Sequence, residues 1–114
     1  MKRALLLALL SPLAAQAGDP ARGKRIVLAP GEGDCLRCHA VPGADRPAGT
    51  LGPSLAGVGS RLSQEEIFWR IVDASRFNPD TAMPAYGRIQ GARSEPQLST
   101  FEIEDAAAFL ATLK

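Results

Sequence analysis

Three stretches of the chain carry apolar residues at helical spacing. In the last, Ile103, Ala106, Ala107, Leu110 and Leu113 recur every three or four positions, and Phe109 widens the stripe. Ser99 with Glu102 forms a capping-box pair ahead of it, so a helix is predicted over Thr100–Leu113. The same pair, Ser63 and Glu66, opens a second helix that runs to Val72 with Ile67, Phe68 and Ile71 on one face. The first stretch follows Asp19-Pro20, an N-cap with proline at the first helical position, and runs from Ala21 to Leu28 until Pro30-Gly31 ends it. Gly23 inside that helix costs about 1 kcal/mol against alanine. Close approach of another helix would account for it, as would a tolerated surface position. No strand-like alternation of useful length occurs, so the fold class is all-α, three to four short helices with long loops.

A fourth apolar run has a different character. Met1-Lys2-Arg3 is basic, Ala4–Leu10 is apolar, and Ala15-Gln16-Ala17 is a small-x-small cleavage site. This is the layout of a secretory signal peptide over residues 1–17, leaving a domain at 18–114. A short membrane anchor or a buried helix is the alternative. The run is too short for a bilayer span, which takes about 20 residues, so no stable membrane insertion is expected. No cysteine stands at the cleavage point to take a lipid. Export places the mature chain in the periplasm or outside the cell. Loss of Lys2 and Arg3 turns the net charge from +1 to −1.

The loops between the helices are long. Eight of the 22 residues from Ala40 to Arg61 are glycine or proline, yet Val41, Leu51, Leu55 and Val58 need something to pack on. Phe77–Tyr86 is a second loop, broken by Asn78-Pro79 and Met83-Pro84. Residues 88–98 are polar and match no role. With only six aromatic residues, the mature domain has a thin apolar core, and domains of this size often need a staple or cofactor. Near-neutral charge argues against a nucleic-acid partner. A single histidine excludes Cys2His2 zinc sites.

The chemistry is concentrated in Cys35-Leu36-Arg37-Cys38-His39. This is C-x-x-C-H, the attachment signature of c-type haem. Two thiols one turn apart add across the two vinyl groups of one haem edge, and the adjacent histidine is carried to the iron. One covalent haem c is therefore expected, with Cys35 and Cys38 as thioethers and His39 as an axial ligand. A redox-active or structural C-x-x-C disulfide and a zinc site completed by carboxylates are the alternatives. Met83 is the candidate for the second axial position, because no second histidine exists and both cysteines are used. Lys24, Lys114 or an open position are the alternatives to it. Pro84 holds Ala82-Met83 extended, and a Met/His pair is a standard cytochrome c ligation. The Nδ1–H of His39 needs an acceptor, and the carbonyl of Pro53 is the candidate. Trp69 is a candidate propionate donor or simply a packed core residue. Arg61, Arg70, Arg76 and Arg88 are candidates to neutralise propionates, or are solvated surface charges. No catalytic residue is assigned.

From Cys35 onward the chain resembles class I cytochrome c domains. The Gly-Pro-Ser-Leu after the haem motif, the late methionine in a proline-rich loop and the final amphipathic helix carry the likeness. It implies that the first and last helices cross, with Gly23 and Phe109 as the close-contact pair. A narrower resemblance lies in the string from Gly52 to Arg61 and in Asn78-Pro79-Asp80-Thr81-Ala82-Met83-Pro84-Ala85-Tyr86, which look like the SoxX family. Those are monohaem cytochrome c subunits of the sulfur-oxidising Sox system. That resemblance implies a heterodimer with a SoxA-type cytochrome, together an L-cysteine S-thiosulfotransferase that oxidatively joins thiosulfate to a cysteine of the SoxYZ carrier. In the family the sulfur chemistry sits on SoxA, and the SoxX haem takes up electrons for a downstream small cytochrome c or other acceptor. Two other functions are compatible with the residues: a freely diffusing periplasmic cytochrome c, and a binding module whose C-x-x-C holds no haem.

Overall fold

The computed structural model describes residues 17–114. The expected leader, apart from Ala17, lies outside the described residues. Four α-helices follow in order: α1 Pro20–Leu28, α2 Val58–Arg61, α3 Gln64–Val72 and α4 Thr100–Ala111. Two 3-10 turns, at Cys35–Arg37 and Ala74–Arg76, complete the regular structure among the described residues. The small all-α class read from periodicity is the class observed.

The caps form as their residue types dictate. The Asp19 carboxylate accepts from the N–H groups of Ala21 and Arg22. Ser63 and Ser99 each accept from the N–H three residues on, and Glu66 and Glu102 reach back to the cap N–H. These bonds satisfy donors that a helix N-terminus leaves free. The far end of α4 differs from the expectation. Leu113 continues the apolar spacing, but the helix stops at Ala111. Thr112 turns its hydroxyl onto the Phe109 carbonyl at 2.6 Å, and the Leu113 carbonyl accepts from Gly59 N–H at 2.8 Å instead of continuing the helix. The single turn of α2 was not expected within the aperiodic stretch. Gly57, at φ 71, turns the chain into it.

α1 and α4 make the most extensive helix contact. Gly23 is what allows it: a Cβ there would stand 1.8 Å from the backbone oxygen of Asp105 and 2.9 Å from Phe109 Cβ. Ala106, Ala107 and Ala108 of α4 are all buried. The crossing is also tied by charge. Asp105, 7% exposed, accepts from Asp19 N–H at 2.7 Å and from Arg22 Nε at 3.1 Å. Burial pushes the Asp105 carboxyl up, but those hydrogen bonds and the nearby arginines outweigh it and hold it below the usual carboxylate range. Behind the crossing, Ile26, Val27, Leu36, Ile67, Ile103 and Leu110 form one core. α3 closes it from the other side of α4.

Candidate functional site

The C-x-x-C-H segment is a tight turn pinned at both ends. Asp34 enters it in the left-handed region at φ 45, which aspartate tolerates better than most residues. Its carboxylate is held by Arg46 at 3.0 Å and Arg37 at 3.5 Å. Cys38 and His39 both donate their N–H to the Cys35 carbonyl, at 3.1 and 2.9 Å. Leu36, 1% exposed, anchors the turn in the core.

The glycine- and proline-rich loop lies directly on this turn. Gly49 donates to the Leu36 carbonyl at 2.9 Å, Gly52 to Cys38 at 2.8 Å and Leu55 to Ala40 at 2.8 Å. The density of small residues follows from that contact. A Cβ on Gly52 would stand 2.4 Å from Cε1 of the His39 ring. The next residue places its carbonyl 2.6 Å from His39 Nδ1. A carbonyl only accepts, so Nδ1 is the donor here, and Nε2 is the ring nitrogen left to meet a metal.

A cavity of about 1040 Å³ opens beside this turn. Cys35, Cys38, His39 and Pro53 contribute to its lining, and so does Met83 from the Phe77–Tyr86 loop. Met83 is half-buried, and its N–H donates to Thr81 Oγ1 at 3.2 Å. Leu55, Val58, Ile67, Ile71 and Leu110 supply apolar wall from α2, α3, α4 and the loop. The volume is at the top of the roughly 300–1,000 Å³ usual for cofactor pockets. A flat macrocycle edge-linked to two thiols, with one nitrogen and one sulfur donor available, suits this donor set. Lys24 and Lys114, weighed against Met83, do not line the cavity. The Lys114 ammonium instead bonds the Gly59 carbonyl at 3.0 Å.

Burial, and then the Asp34 carboxylate, push the Cys35 thiol up to about 11. Redox-active C-x-x-C thiols show the opposite shift. Burial likewise raises the Tyr86 phenol to about 12, helped by the cysteine and Asp34 side chains. Among the described residues no group of three or more His, Cys, Asp and Glu side chains is placed to hold a metal ion, so the zinc alternative lacks its ligands.

The cationic candidates divide. Arg61 lines the cavity while its Nη1 donates to the Ala56 carbonyl at 2.9 Å. Arg70 also lines it, stacked 4.4 Å from the Phe77 ring centroid. Arg88 is committed to Asp73 at 2.9 Å, and Arg76 sits over Trp69 at 5.5 Å. Trp69 is not brought to the cavity. It is 41% exposed, edge-on to Phe68, on the face of α3 away from Ile67 and Ile71. Its indole lies outside the cavity lining and is not a packed core residue. Two residues from the unassigned stretch 88–98, Arg93 and Gln97, do reach the cavity, and Gln97 bonds the Glu32 carbonyl at 2.9 Å. No periodicity or motif marks them in the sequence.

The cytochrome c family model matches residues 20–114. Among solved structures, the chain is similar to one in the crystal structure of SoxXA from P. pantotrophus. The likeness has 30% identity and a TM-score of 0.78, and covers 91% of this chain and 88% of that one. The c-type cytochrome SorU from Sinorhizobium meliloti is similar at 26% identity and a TM-score of 0.58, over 82% of this chain and 88% of that one. No curated protein matches. One C-x-x-C-H motif in such a chain takes one covalent haem c. The chain belongs to the cytochrome c family, as a monohaem member that resembles SoxX.

Proposed function

We propose that the chain is the electron-accepting subunit of a periplasmic SoxAX-type pair that oxidatively conjugates thiosulfate to the cysteine of a SoxYZ carrier. The observation that carries this reading is the likeness to SoxXA over 91% of the chain. Residues 1–17 act as a removed leader that exports it. No described helix is long and apolar enough to cross a membrane.

Cys35 and Cys38 would hold the haem as thioethers, and His39 and Met83, which line the same cavity, would be its iron ligands. Bound there, the haem supplies one-electron exchange. The chain's residues set how. The Pro53 carbonyl keeps the His39 ring oriented, so that Nε2 is the nitrogen that would meet the iron. A thioether ligand favours a higher reduction potential than a second imidazole would. That pair of ligands would suit electron exchange and not substrate binding at the iron. The apolar wall of Leu55, Val58, Ile67 and Ile71 keeps water from the buried face. Arg61 and Arg70 line the cavity and would neutralise the carboxylates of a bound macrocycle. The sulfur chemistry belongs to the SoxA-type partner, and electrons leave to a small cytochrome c or another acceptor.

Co-expression with a SoxA-type cytochrome under active haem maturation tests this. A stable 1:1 complex is expected, whose haem in this subunit is reduced when thiosulfate and SoxYZ are added. A chain that stays monomeric at all concentrations and is not reduced under those conditions overturns it. That outcome would favour a diffusible carrier.

A further inference from the structure

One buried carboxylate fastens the methionine loop at both of its ends. We infer that Asp73, which lies outside the cavity, is a positioning residue for Met83: it clasps the entry and the exit of the Phe77–Tyr86 loop and keeps the thioether presented to the haem site. This rests on the reading of Met83 as an iron ligand.

Asp73 stands where α3 ends. Its N–H donates to the Trp69 carbonyl at 3.1 Å and closes the last helical turn. Its side chain then opens the 3-10 turn at Ala74–Arg76 that leads into the loop. Oδ1 accepts from Ser75 N–H at 3.1 Å and from the Ser75 hydroxyl. That is the ordinary use of aspartate at a helix start. Oδ2 is used differently. It accepts from Arg88 Nη1 at 2.9 Å, from 15 positions further along the chain. Asp73 is 3% exposed, so water is a poor substitute for either donor.

Between these two arms the loop bonds chiefly to itself. Among the described residues, every hydrogen bond of residues 79–85 stays within positions 78–90. Thr81 N–H bonds the Asn78 carbonyl, Met83 N–H the Thr81 hydroxyl and Ala85 N–H the Gln90 side chain. Such bonds fix the shape of the loop, not its place on the domain. Apolar packing of Met83, Ala85 and Tyr86 supplies part of that placement. The rest comes at the exit, where Tyr86 and Gly87 donate to the Ile71 and Val72 carbonyls at 3.2 and 3.1 Å. Gly87 permits the approach: a Cβ there would stand 3.0 Å from Val72 Cα. Arg88 follows directly, and its bond to Asp73 closes the contact.

Phe77, Thr81, Met83 and Tyr86 line the cavity, whereas Asp73, Ser75 and Arg88 do not. Asp73 therefore acts on the loop and not on the bound group. Asparagine at this position keeps an oxygen for Ser75 but sets an amide donor against the Arg88 guanidinium. The clasp then opens at its exit. Any opening that withdraws Met83 frees an axial position for an outside ligand, whose apparent affinity scales with the open fraction.

The test uses the exported, haem-loaded protein in its oxidised form, with imidazole as the outside ligand. The wild type should show the sulfur-to-iron charge-transfer band and bind imidazole weakly. Asp73→Asn and Arg88→Met should each raise the apparent imidazole affinity by roughly tenfold, and the double variant no further. Arg22→Met, which breaks the pair to Asp105 at the α1–α4 crossing, should leave that affinity unchanged. Unchanged affinity in either Asp73→Asn or Arg88→Met, or an equal rise in Arg22→Met, overturns the clasp while leaving Met83 on the iron. If Asp73→Asn takes up no haem, Arg88→Met decides alone. Absence of the band in the wild type overturns Met83 as a ligand, and the clasp with it.

Discussion

Replacing Gly23 by alanine separates tertiary from local effects by sign. In an exposed helix the change stabilises by about 1 kcal/mol. Here the new methyl group would stand 1.8 Å from the Asp105 backbone oxygen. Ordinary contact needs roughly 3.5 Å, so α1 and α4 must part by about 1.5 Å or more. The opposing atom is backbone within a buried helix, and no flexible side chain can move aside. Overpacking of this kind costs about 1–3 kcal/mol. Parting the helices also stretches the bonds from Asp19 N–H and Arg22 to Asp105, now 2.7 and 3.1 Å. Hydrogen bonds to a charged group contribute roughly 1.5–3 kcal/mol. Set against the helix-propensity gain, the net loss is about 2–4 kcal/mol. For a domain of this size that lowers the thermal midpoint by on the order of 10–25 °C. Far-UV circular dichroism of the haem-loaded protein reads it, with Lys24→Ala, one exposed position along, as the helix-propensity control. A Gly23→Ala midpoint equal to or above wild type would refute the account of the crossing.

Gly52→Ala drives a methyl group into the His39 ring, 2.4 Å from Cε1. It should displace the imidazole from the Pro53 carbonyl, reduce the low-spin fraction in the visible spectrum and cost about 1–3 kcal/mol of stability; a wild-type spectrum counts against the contact. Met83→His should lower the reduction potential and abolish the sulfur-to-iron charge-transfer band of the oxidised protein. Absence of that band in the wild type would remove Met83 from the iron. Asp73 is buried, and hydrogen bonds from Ser75 and then Arg88 hold its carboxyl below the usual range. Its stabilisation is therefore present above about pH 4 and lost as pH falls through the folded value. In thermal melts from pH 6 to 2, wild type should lose its advantage over Asp73→Asn in the acid range; a constant difference would contradict this.

What the chain reveals of itself depends on how far apart the interacting residues lie. The three capped helix starts are local, each written within four residues, and each forms where Asp19, Ser63 and Ser99 stand. The one-turn helix α2 has no local signal, because Gly59 is held from outside, by the Leu113 carbonyl at 2.8 Å and by close packing on Ala111. The same contact takes Leu113 out of α4 despite its apolar spacing. Trp69 carries a local signal of its place. It lies two positions from both Ile67 and Ile71, which puts it across the helix from the face those residues bury. A lone tryptophan invites a special role, but helical geometry alone sends this one to the surface.

The site divides along the same line. Cys35, Cys38 and His39 are legible because the chemistry dictates their spacing over five residues. Arg93 and Gln97 are not, because a polar strap joins the cavity wall only once Leu98 is buried and Leu98 N–H has bonded the Tyr86 carbonyl at 3.0 Å. Glycine marks the boundary between the two cases. The cost of Gly23 could be read from helix propensity alone, and so could the oddity of a loop as rich in glycine as the one around Gly52. The reason for each is a surface contributed from elsewhere in the chain, the α4 backbone in one case and the His39 ring in the other. A glycine that local rules disfavour therefore points to a close approach, and only the fold says what approaches.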